Sequence, residues 1–378
     1  MKNLLPLFFL LFITTTWMVS CQKENTRNTY TINSDAVDGI ENYKLLPKII
    51  SFSASNHTFL DANGHSFFPW GFNYTNPVVV DLLEDHWNED SIWNYIKSDF
   101  SEMKAYGANV VRIHLQYNKF MKDPYTPDLA SIARLKRVVQ IAETRQLYLL
   151  ITGLGAYRAS DQPQWYDTLS RDARWQTQAL FWKTIAATVK NNSCVFAYDL
   201  MNEPVVASQC PGADCGWLPG DDFGGYNFVQ NISLKPRDLL KPTMDEWIKQ
   251  MTGSIRTADK KTMITVGLLS LGDINQYADN VGFISTHIYP ESGRLQKSEN
   301  FVNDNQSNKP FVLEEISNLA CDTSQLTIFL KDLTGKYNGL IGHYLGKTKK
   351  ECKASGTIGD AIQAQFIDWF EDHNPNKK

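Results

Sequence analysis

The sequence predicts an α/β fold, a single (β/α)8 barrel (TIM barrel) with an N-terminal β-hairpin and a long loop after the fourth strand. From residue 67 onward, eight short apolar segments alternate with segments whose apolar residues recur at helical spacing. The apolar segments are nearly continuous, as in parallel strands that are covered on both faces. Eight such units close into a barrel more readily than they form an open sheet. No GxGxxG follows the first strand to indicate a dinucleotide-binding fold.

The predicted strands and helices alternate along the chain. The strands are predicted at 67–74, 109–115, 147–154, 195–204, 263–269, 282–290, 310–316 and 339–345. The helices are predicted at 88–106, 128–145, 174–191, 243–258, 324–334 and 359–372. Gly107 follows the first helix, where a left-handed cap residue is expected. The segment 49–66 is predicted to be a hairpin that turns at 61–64 and plugs the barrel floor, and 205–241 is the long loop.

Composition and charge narrow the function classes. Of the 378 residues, 43% are hydrophobic, and the formal net charge is −4. No basic surface is implied, so nucleic acid is not an expected partner. Trp and Tyr faces can stack on sugar rings, although a core with many large side chains explains most of them. No zinc-type spacing, HExxH motif, internal repeat or second domain is found, and we expect a monomer without a metal site.

The N-terminal residues predict an export signal followed by a tether. Lys2 precedes an apolar run at 4–19 that is too short and too interrupted for a comfortable membrane span. Cys21 ends a segment that resembles a bacterial lipoprotein cleavage box, so we expect it to be lipidated. The protein would then be exported and membrane-anchored, in the periplasm or at the cell surface, with simple secretion as the alternative. The predicted divisions are a signal peptide at 1–20, a lipidated Cys with a flexible tether at 21–48, and the barrel domain at 49–378.

Besides the expected lipidation site, five cysteines remain, an odd number. At least one therefore stays unpaired unless it bonds another chain. Cys210 and Cys215 are close enough in one loop to form a disulfide, and Cys321 with Cys352 is a second possible pair. Cys194, at the start of an apolar strand, is most simply a buried free thiol.

Two glutamates end predicted strands. Glu203 ends the fourth strand in YDLMNEP, and Glu315 ends the seventh in KPFVLEEIS. A buried carboxylate is costly unless it is paired or used. Because the carboxyl ends of barrel strands meet at one mouth, the two glutamates are expected to face each other there. Cleavage of a glycosidic bond needs such a pair, one to protonate the leaving oxygen and one to attack or guide water to the anomeric carbon. For a lone Glu at a strand end, a structural ion pair is the alternative.

Together with HIY in the sixth strand and P-x-x-x-x-E in the seventh, the NEP motif resembles glycoside hydrolase family 5. This family of retaining barrel glycosidases is rich in cellulases and mannanases, and the resemblance covers about residues 60–372. It implies an enzyme that cleaves β-linked poly- or oligosaccharides of the β-glucan or β-mannan type by double displacement. It implies a carbohydrate substrate and no cofactor.

The resemblance assigns the two carboxylates their roles. Glu203 matches the general acid/base of the family. Glu315 matches the nucleophile, because the family places it five residues after a Pro, here Pro310. The preceding Glu314 is then expected to face the helices or to contact a supporting partner.

Four further residues match the family pattern. Asn202 matches the residue that hydrogen-bonds the sugar 2-hydroxyl, and Arg112 matches the strand-two arginine that keeps the nucleophile ionised. His287 and Tyr289 match the residues near the acid/base and the nucleophile, respectively. A structural ion pair remains an alternative for Arg112, and a core histidine remains one for His287. His114 is interpreted as structural.

The sequence departs from the family at two strands. The third strand, ITGLGAYR, lacks the usual His. The eighth strand, GLIGHYLG, lacks the Trp that usually floors the central sugar subsite, so His343, Tyr344 or another element must supply that floor. His343 is otherwise interpreted as structural. Trp217 in the long loop and Trp70 are predicted to contact the substrate, and Tyr157 is a further stacking candidate.

Three alternatives to a hydrolase remain open. A non-catalytic glycan-binding lipoprotein on the same barrel is disfavoured because both glutamates are present. A transglycosylase would use the same residues, and the sequence does not separate it from a hydrolase. An unrelated barrel enzyme would need a metal or phosphate motif, and neither is found.

Overall fold

The barrel architecture is seen in a computed structural model that describes residues 45–55, 57–75, 82–206, 228–233 and 240–377. Its strands are β1 (Ile49–Phe52), β2 (Phe59–Asp61), β3 (Ser66–Phe67), β4 (Trp70–Tyr74), β5 (Val110–Gln116), β6 (Met121–Asp123), β7 (Thr126–Pro127), β8 (Tyr148–Gly155), β9 (Val195–Asn202), β10 (Met263–Leu269), β11 (Ile284–His287), β12 (Phe311–Ile316) and β13 (Gly339–Leu345). β4, β5 and β8 to β13 form a closed parallel barrel in which β13 pairs with β4. The predicted (β/α)8 fold is confirmed.

Helices cover the outside of this barrel. Within the described residues they are α1 (Leu83–His86), α2 (Ile92–Ala105), α3 (Tyr117–Phe120), α4 (Leu129–Thr144), α5 (Arg171–Val189), α6 (Leu240–Ala258), α7 (Leu295–Asp304), α8 (Thr323–Asp332), α9 (Lys349–Ser355) and α10 (Ile358–Asp372). Gly107 follows α2 with φ 93°, as the predicted left-handed cap requires. α7 lies between the sixth and seventh barrel strands and was not predicted. None of the helices in the described ranges is long and apolar enough to cross a bilayer.

The floor of the barrel is apolar. The predicted hairpin at 49–66 is a three-stranded antiparallel sheet, β1–β2–β3. Phe59 of this sheet is fully buried, and its ring lies edge-on at 5.1 Å, between centroids, from both Phe196 and Phe283. Phe196 lies near the beginning of the fourth barrel strand and Phe283 directly precedes the sixth, so the sheet closes the amino-terminal end, as predicted. The polar side chains of the candidate site lie at the opposite, carboxyl end of the barrel.

Several sequence predictions fall outside the described residues. They are the signal peptide at 1–20, the tether as far as residue 44, Cys21, Trp217, Cys210, Cys215 and most of the long loop at 205–241. Cys194 is a buried free thiol, as predicted. Cys321 and Cys352 are also buried free thiols. The pair that the sequence left open between them is therefore not formed.

Candidate active site

A buried arginine organises the carboxyl end of the barrel. Arg112 of β5 donates to Glu315 Oε1 at 2.7 Å and to Asp199 Oδ2 at 2.8 Å. Its Nε lies 3.5 Å from Glu314 Oε1. Burial alone would lower the pKa of Arg112, but the charges of these three carboxylates raise it well above its usual value. The guanidinium therefore stays charged and holds three carboxylates from two strands, β9 and β12, in one place.

Glu315 is held as an oriented carboxylate. Its Oε1 accepts from Arg112, and its Oε2 accepts from the Tyr289 hydroxyl at 2.7 Å. Burial would raise the pKa of Glu315, but the charge of His287, the nearby His343 and the charge of Arg112 hold it well below its usual range. A nucleophilic carboxylate must be ionised at the working pH, and this environment provides that.

Glu203 faces Glu315 across the mouth. It follows β9 with φ 53°, in the left-handed region that non-glycine residues rarely adopt, and its backbone N donates to Gly267 O at 2.8 Å. Strain of this kind clusters at functional sites. One oxygen of Glu203, one oxygen of Glu315 and one nitrogen of His287 lie within 4.8 Å of one another. This spacing agrees with the ~5–5.5 Å between carboxyl groups of retaining enzymes.

His287 links the two carboxylates. Its Nδ1 lies 2.7 Å from Glu203 Oε1, and its Nε2 lies 3.5 Å from Glu314 Oε2. Burial lowers the pKa of His287, but the charge of Glu315 and hydrogen bonds to Glu203 and Glu314 raise it to about 10. The ring is therefore an imidazolium at neutral pH, with Nδ1 donating to Glu203 and the protonated Nε2 facing Glu314. His287, Glu203 and Glu315 also have ligand atoms close enough together for a metal ion, although acidic groups of this kind are common without one.

A second polar chain runs from Arg112 to Tyr157. The amide nitrogen of Asn73 donates to two backbone carbonyls, one of them Glu314 O. Its Oδ1 therefore accepts from Arg112 Nη1 at 2.7 Å and from His114 Nε2 at 3.2 Å. Burial and the charge of Arg112 lower the pKa of His114 well below its usual value, so the ring is neutral. Its Nδ1 then accepts from the Tyr157 hydroxyl at 2.7 Å. Tyr157, which the sequence analysis offered as a stacking candidate, is therefore a hydrogen-bond donor in this network.

Asp199 and Glu314 are buried carboxylates beneath this site. Asp199 accepts from Arg112, from Thr152 Oγ1 at 2.7 Å and from the Gly267 backbone N at 2.7 Å. Burial, followed by the charge of Glu314, raises the pKa of Asp199 to about 6 against the opposing charge of Arg112. The sequence analysis did not single out Asp199, although an acidic residue inside an apolar strand was a signal that could have found it.

Glu314 and Glu315 both point into the barrel, although neighbouring residues of a regular strand point to opposite faces. The pairing of β12 with β11 and with β13 is irregular at these residues. Glu314 accepts from Ser285 Oγ at 2.8 Å and lies beside His287. Of the two expectations for Glu314, the supporting contact is therefore the one that the structure favours.

The remaining predicted substrate residues have different placements. Asn202 Oδ1 accepts from Arg112 Nη2 at 3.0 Å, beside the two glutamates. Trp70 is only 2% exposed and stacks on Phe370 of α10 at 4.7 Å between ring centroids. It is the first residue of β4, at the end of the barrel away from the glutamates, so the prediction that it contacts the substrate is wrong.

Two sequence comparisons found similar proteins. A family profile described as cellulase (glycosyl hydrolase family 5) matches residues 61–323. The probable mannan endo-1,4-beta-mannosidase A of Aspergillus niger is 23% identical over 261 residues, which are 58% of this chain and 60% of that protein.

Solved structures share the barrel. An exo-β-1,4-mannosidase from an Opitutaceae bacterium has a TM-score of 0.63 at 19% identity, with 85% of this chain and 61% of that chain covered. An endo-1,4-β-mannanase from Eisenia fetida has a TM-score of 0.60 at 18% identity, covering 86% and 96%. A β-glucanase from Saccharophagus degradans, in complex with cellotetraose, has a TM-score of 0.59 at 16% identity, covering 88% and 97%. The chain spans less than two thirds of the fungal relative and of the exo-mannosidase.

Proposed function

Because the chain belongs to glycosyl hydrolase family 5, we propose that it is a glycoside hydrolase that cleaves β-1,4-linked mannans or manno-oligosaccharides with retention of anomeric configuration. The observation that carries the reaction is the pair Glu203 and Glu315, whose oxygens lie within 4.8 Å at the carboxyl end of the barrel. The retaining mechanism is general to the family, and no metal or organic cofactor takes part in the proposed steps.

In the first step, an oxygen of Glu315 attacks the anomeric carbon as the glycosidic C–O bond breaks. Glu203 gives its proton to the leaving oxygen, so the aglycone departs as an alcohol and the sugar becomes an ester of Glu315. The 2.7 Å hydrogen bond from His287 Nδ1 to Glu203 Oε1 holds this carboxyl group in position beside the nucleophile. Arg112 and Tyr289 stabilise the charge on Glu315 before the attack.

In the second step, Glu203 is a carboxylate and accepts a proton from water. The resulting nucleophile attacks the anomeric carbon from the face that the aglycone left, and the ester bond to Glu315 breaks. Two inversions give net retention, and Glu203 ends the cycle protonated. If a sugar hydroxyl replaces water, the same residues perform transglycosylation. Transfer products at high substrate concentration would therefore indicate transglycosylase activity.

The choice of mannan is supported by the comparisons. The fungal relative is named as a mannan endo-1,4-β-mannosidase, and two of the structural neighbours are named as a mannosidase and a mannanase. β-Glucan is the second candidate substrate, supported by the neighbour that is a β-glucanase in complex with cellotetraose.

The test is a substrate panel on the purified protein: β-1,4-mannan, mannotetraose, cellotetraose, xyloglucan, and aryl β-mannoside and β-glucoside. We expect kcat/KM for manno-configured substrates to exceed that for gluco-configured ones by at least about tenfold. An NMR time course should show the β-anomer of the product first. The opposite preference would move the substrate class to β-glucan, and early appearance of the α-anomer would reject Glu315 as nucleophile.

Gly267 of β10 has no side chain, and charged groups of the site lie close to where its Cβ would be. A Cβ there would lie 2.8 Å from Glu314 Oε2, 2.9 Å from His287 Nε2 and 3.0 Å from Arg112 Nη2. These side chains are packed and cannot withdraw freely. We expect Gly267→Ala to lower kcat/KM by about 10²-fold through misplacement of the site, and the free energy of unfolding by about 1–3 kcal/mol.

Gly253→Ala is the matched control for this substitution. Gly253 lies in α6, and a Cβ there would meet nothing within 4 Å. We expect unchanged kinetics and a free energy of unfolding that is equal or higher by up to about 1 kcal/mol. Steady-state kinetics and urea unfolding measure both variants. Wild-type kinetics for Gly267→Ala would contradict the interpretation that the site requires a residue without a Cβ at this position.

A further inference from the structure

We propose that His343 is a positioning residue for the nucleophile: its Nδ1–H donates to the Tyr289 oxygen and so directs the Tyr289 hydroxyl proton onto Glu315. The hydrogen-bond assignment stands on the geometry of the three side chains. Its kinetic consequence rests on the proposed function, because it is expressed through the attack of Glu315 on a glycoside.

The three groups form a short chain across two strands and a loop. Tyr289 Oη lies 2.7 Å from Glu315 Oε2 and 2.6 Å from His343 Nδ1. His343 Nδ1 is itself 3.8 Å from Glu315 Oε2, too far for a good direct hydrogen bond. The Tyr289 and His343 rings pack edge-on with centroids 5.4 Å apart. Packing therefore supports the position of the imidazole.

The proton count decides the direction of each hydrogen bond. A tyrosine hydroxyl has one proton and cannot donate to two acceptors at full strength. Glu315, which Arg112 also contacts, is the charged acceptor, and a hydrogen bond to a charged group is the stronger one. The proton of Tyr289 therefore goes to Glu315. The 2.6 Å contact between Tyr289 Oη and His343 Nδ1 must then be bridged by a proton on Nδ1.

This arrangement removes a competitor for the hydroxyl proton. If Nδ1 of His343 were bare, it would be a second acceptor within reach of Tyr289, and the hydroxyl would divide its proton between Glu315 and the ring. A donor at Nδ1 excludes that alternative and also polarises the hydroxyl, which strengthens its bond to Glu315. His343 acts on the nucleophile through Tyr289.

The placement of His343 gives it access to the mouth. It belongs to β13, and its side chain is 25% exposed. The family resemblance predicted a Trp near this position as the floor of a sugar subsite. This chain has an imidazole beside the nucleophile instead, so the eighth strand contributes a polar group to the hydrogen bonding of Glu315.

The pH dependence of the reaction reports this hydrogen bond. Loss of the donor should raise the pKa of Glu315, because the Tyr289 hydroxyl would be less polarised and would stabilise the carboxylate less strongly. Activity is lost as pH falls through that pKa, so the acid limb of the profile should move to higher pH. The other charged or titratable groups that face Glu315 from neighbouring elements are Arg112, His114, Tyr157, Glu203, His287 and Tyr289.

The kinetic test compares His343→Ala with His343→Asn. Alanine removes the donor, whereas the asparagine amide can donate from near the position of Nδ1. We expect His343→Ala to lower kcat/KM about tenfold, the usual effect of one hydrogen bond in a charged network, and to move the acid limb of kcat/KM to higher pH. His343→Asn should recover most of both. His373→Ala, far from the site at the end of α10, should match wild type.

Two outcomes would overturn the inference. In the first, His343→Ala lowers rate and thermal stability without moving the acid limb, which indicates packing alone. In the second, His343→Asn behaves like His343→Ala.

A spectroscopic test does not depend on activity. In protein labelled with 15N-histidine, we expect Nδ1 of His343 to have the chemical shift of a protonated nitrogen at neutral pH, with assignment by its loss in His343→Asn. A bare Nδ1 would refute the inference directly. If the wild type hydrolysed no member of the substrate panel, the proposed function would fail, and this measurement would still decide the hydrogen-bond assignment.

Discussion

Glu315→Gln is expected to lower turnover of the best substrate by at least about 10⁴-fold, the scale on which removal of a nucleophile acts in enzymes that form covalent intermediates. A glutamine amide is uncharged and does not form the glycosyl ester. The substitution keeps the size of the side chain, and its carbonyl oxygen can still accept from Arg112 Nη1, which donates to Glu315 at 2.7 Å. The loss should therefore fall on chemistry and not on folding.

The measurement separates these two possibilities. Steady-state and single-turnover rates give the catalytic loss, and thermal unfolding with circular dichroism gives the state of the fold. We expect a folded protein with a melting temperature within a few degrees of wild type, although Arg112 loses one charged partner. A folded Glu315→Gln variant that retained more than a few per cent of wild-type turnover would show that another group attacks the anomeric carbon.

The barrel strands were predicted well where the sequence has a clear apolar segment. The strands at 263–269 and 339–345 are observed with the predicted bounds. The first barrel strand begins later than predicted, at Trp70, because Pro69 lacks an N–H for the ladder and Phe67 belongs to the small floor sheet. Trp70 is therefore the first residue of this strand and lies far from its carboxyl end. α7 was missed because Leu295, Phe301 and Val302 are its few apolar residues, too few for a clear helical stripe.

For the site, motif resemblance brought together residues that the structure also brings together. Glu203, Glu315, Arg112, His287 and Tyr289 lie in one connected network. Their catalytic roles remain predictions until variants are measured.

The residues that were missed act across the barrel. Asp199 contacts Arg112 over a separation of 87 positions, and Asn73 contacts it over 39. The spacing of residues along the sequence does not indicate such contacts. They depend on where a long side chain points after the strands have closed into a barrel. His343 was interpreted as structural for the same reason, since its partner Tyr289 is 54 positions away.

Glu203→Ala should have the second largest effect, and that effect should depend on the leaving group. For an unactivated oligosaccharide, loss of the general acid should lower kcat/KM by about 10²–10⁴-fold. A dinitrophenyl glycoside needs little protonation to depart, so its kcat/KM should fall by less than about tenfold. Its kcat should fall much further, because Glu203 also activates the water that releases the sugar from Glu315.

Added azide makes this prediction decisive, because azide needs no base to attack. In Glu203→Ala it should restore turnover of the activated substrate and give the β-glycosyl azide, since attack on the ester of Glu315 completes two inversions. In the matched variant Glu315→Ala, azide can replace the carboxylate and should give the α-glycosyl azide by a single inversion. The anomer of each product, read by NMR, therefore identifies which glutamate attacks and which transfers the proton. The same anomer from both variants, or no azide product from either, would contradict the assignment of roles to Glu203 and Glu315.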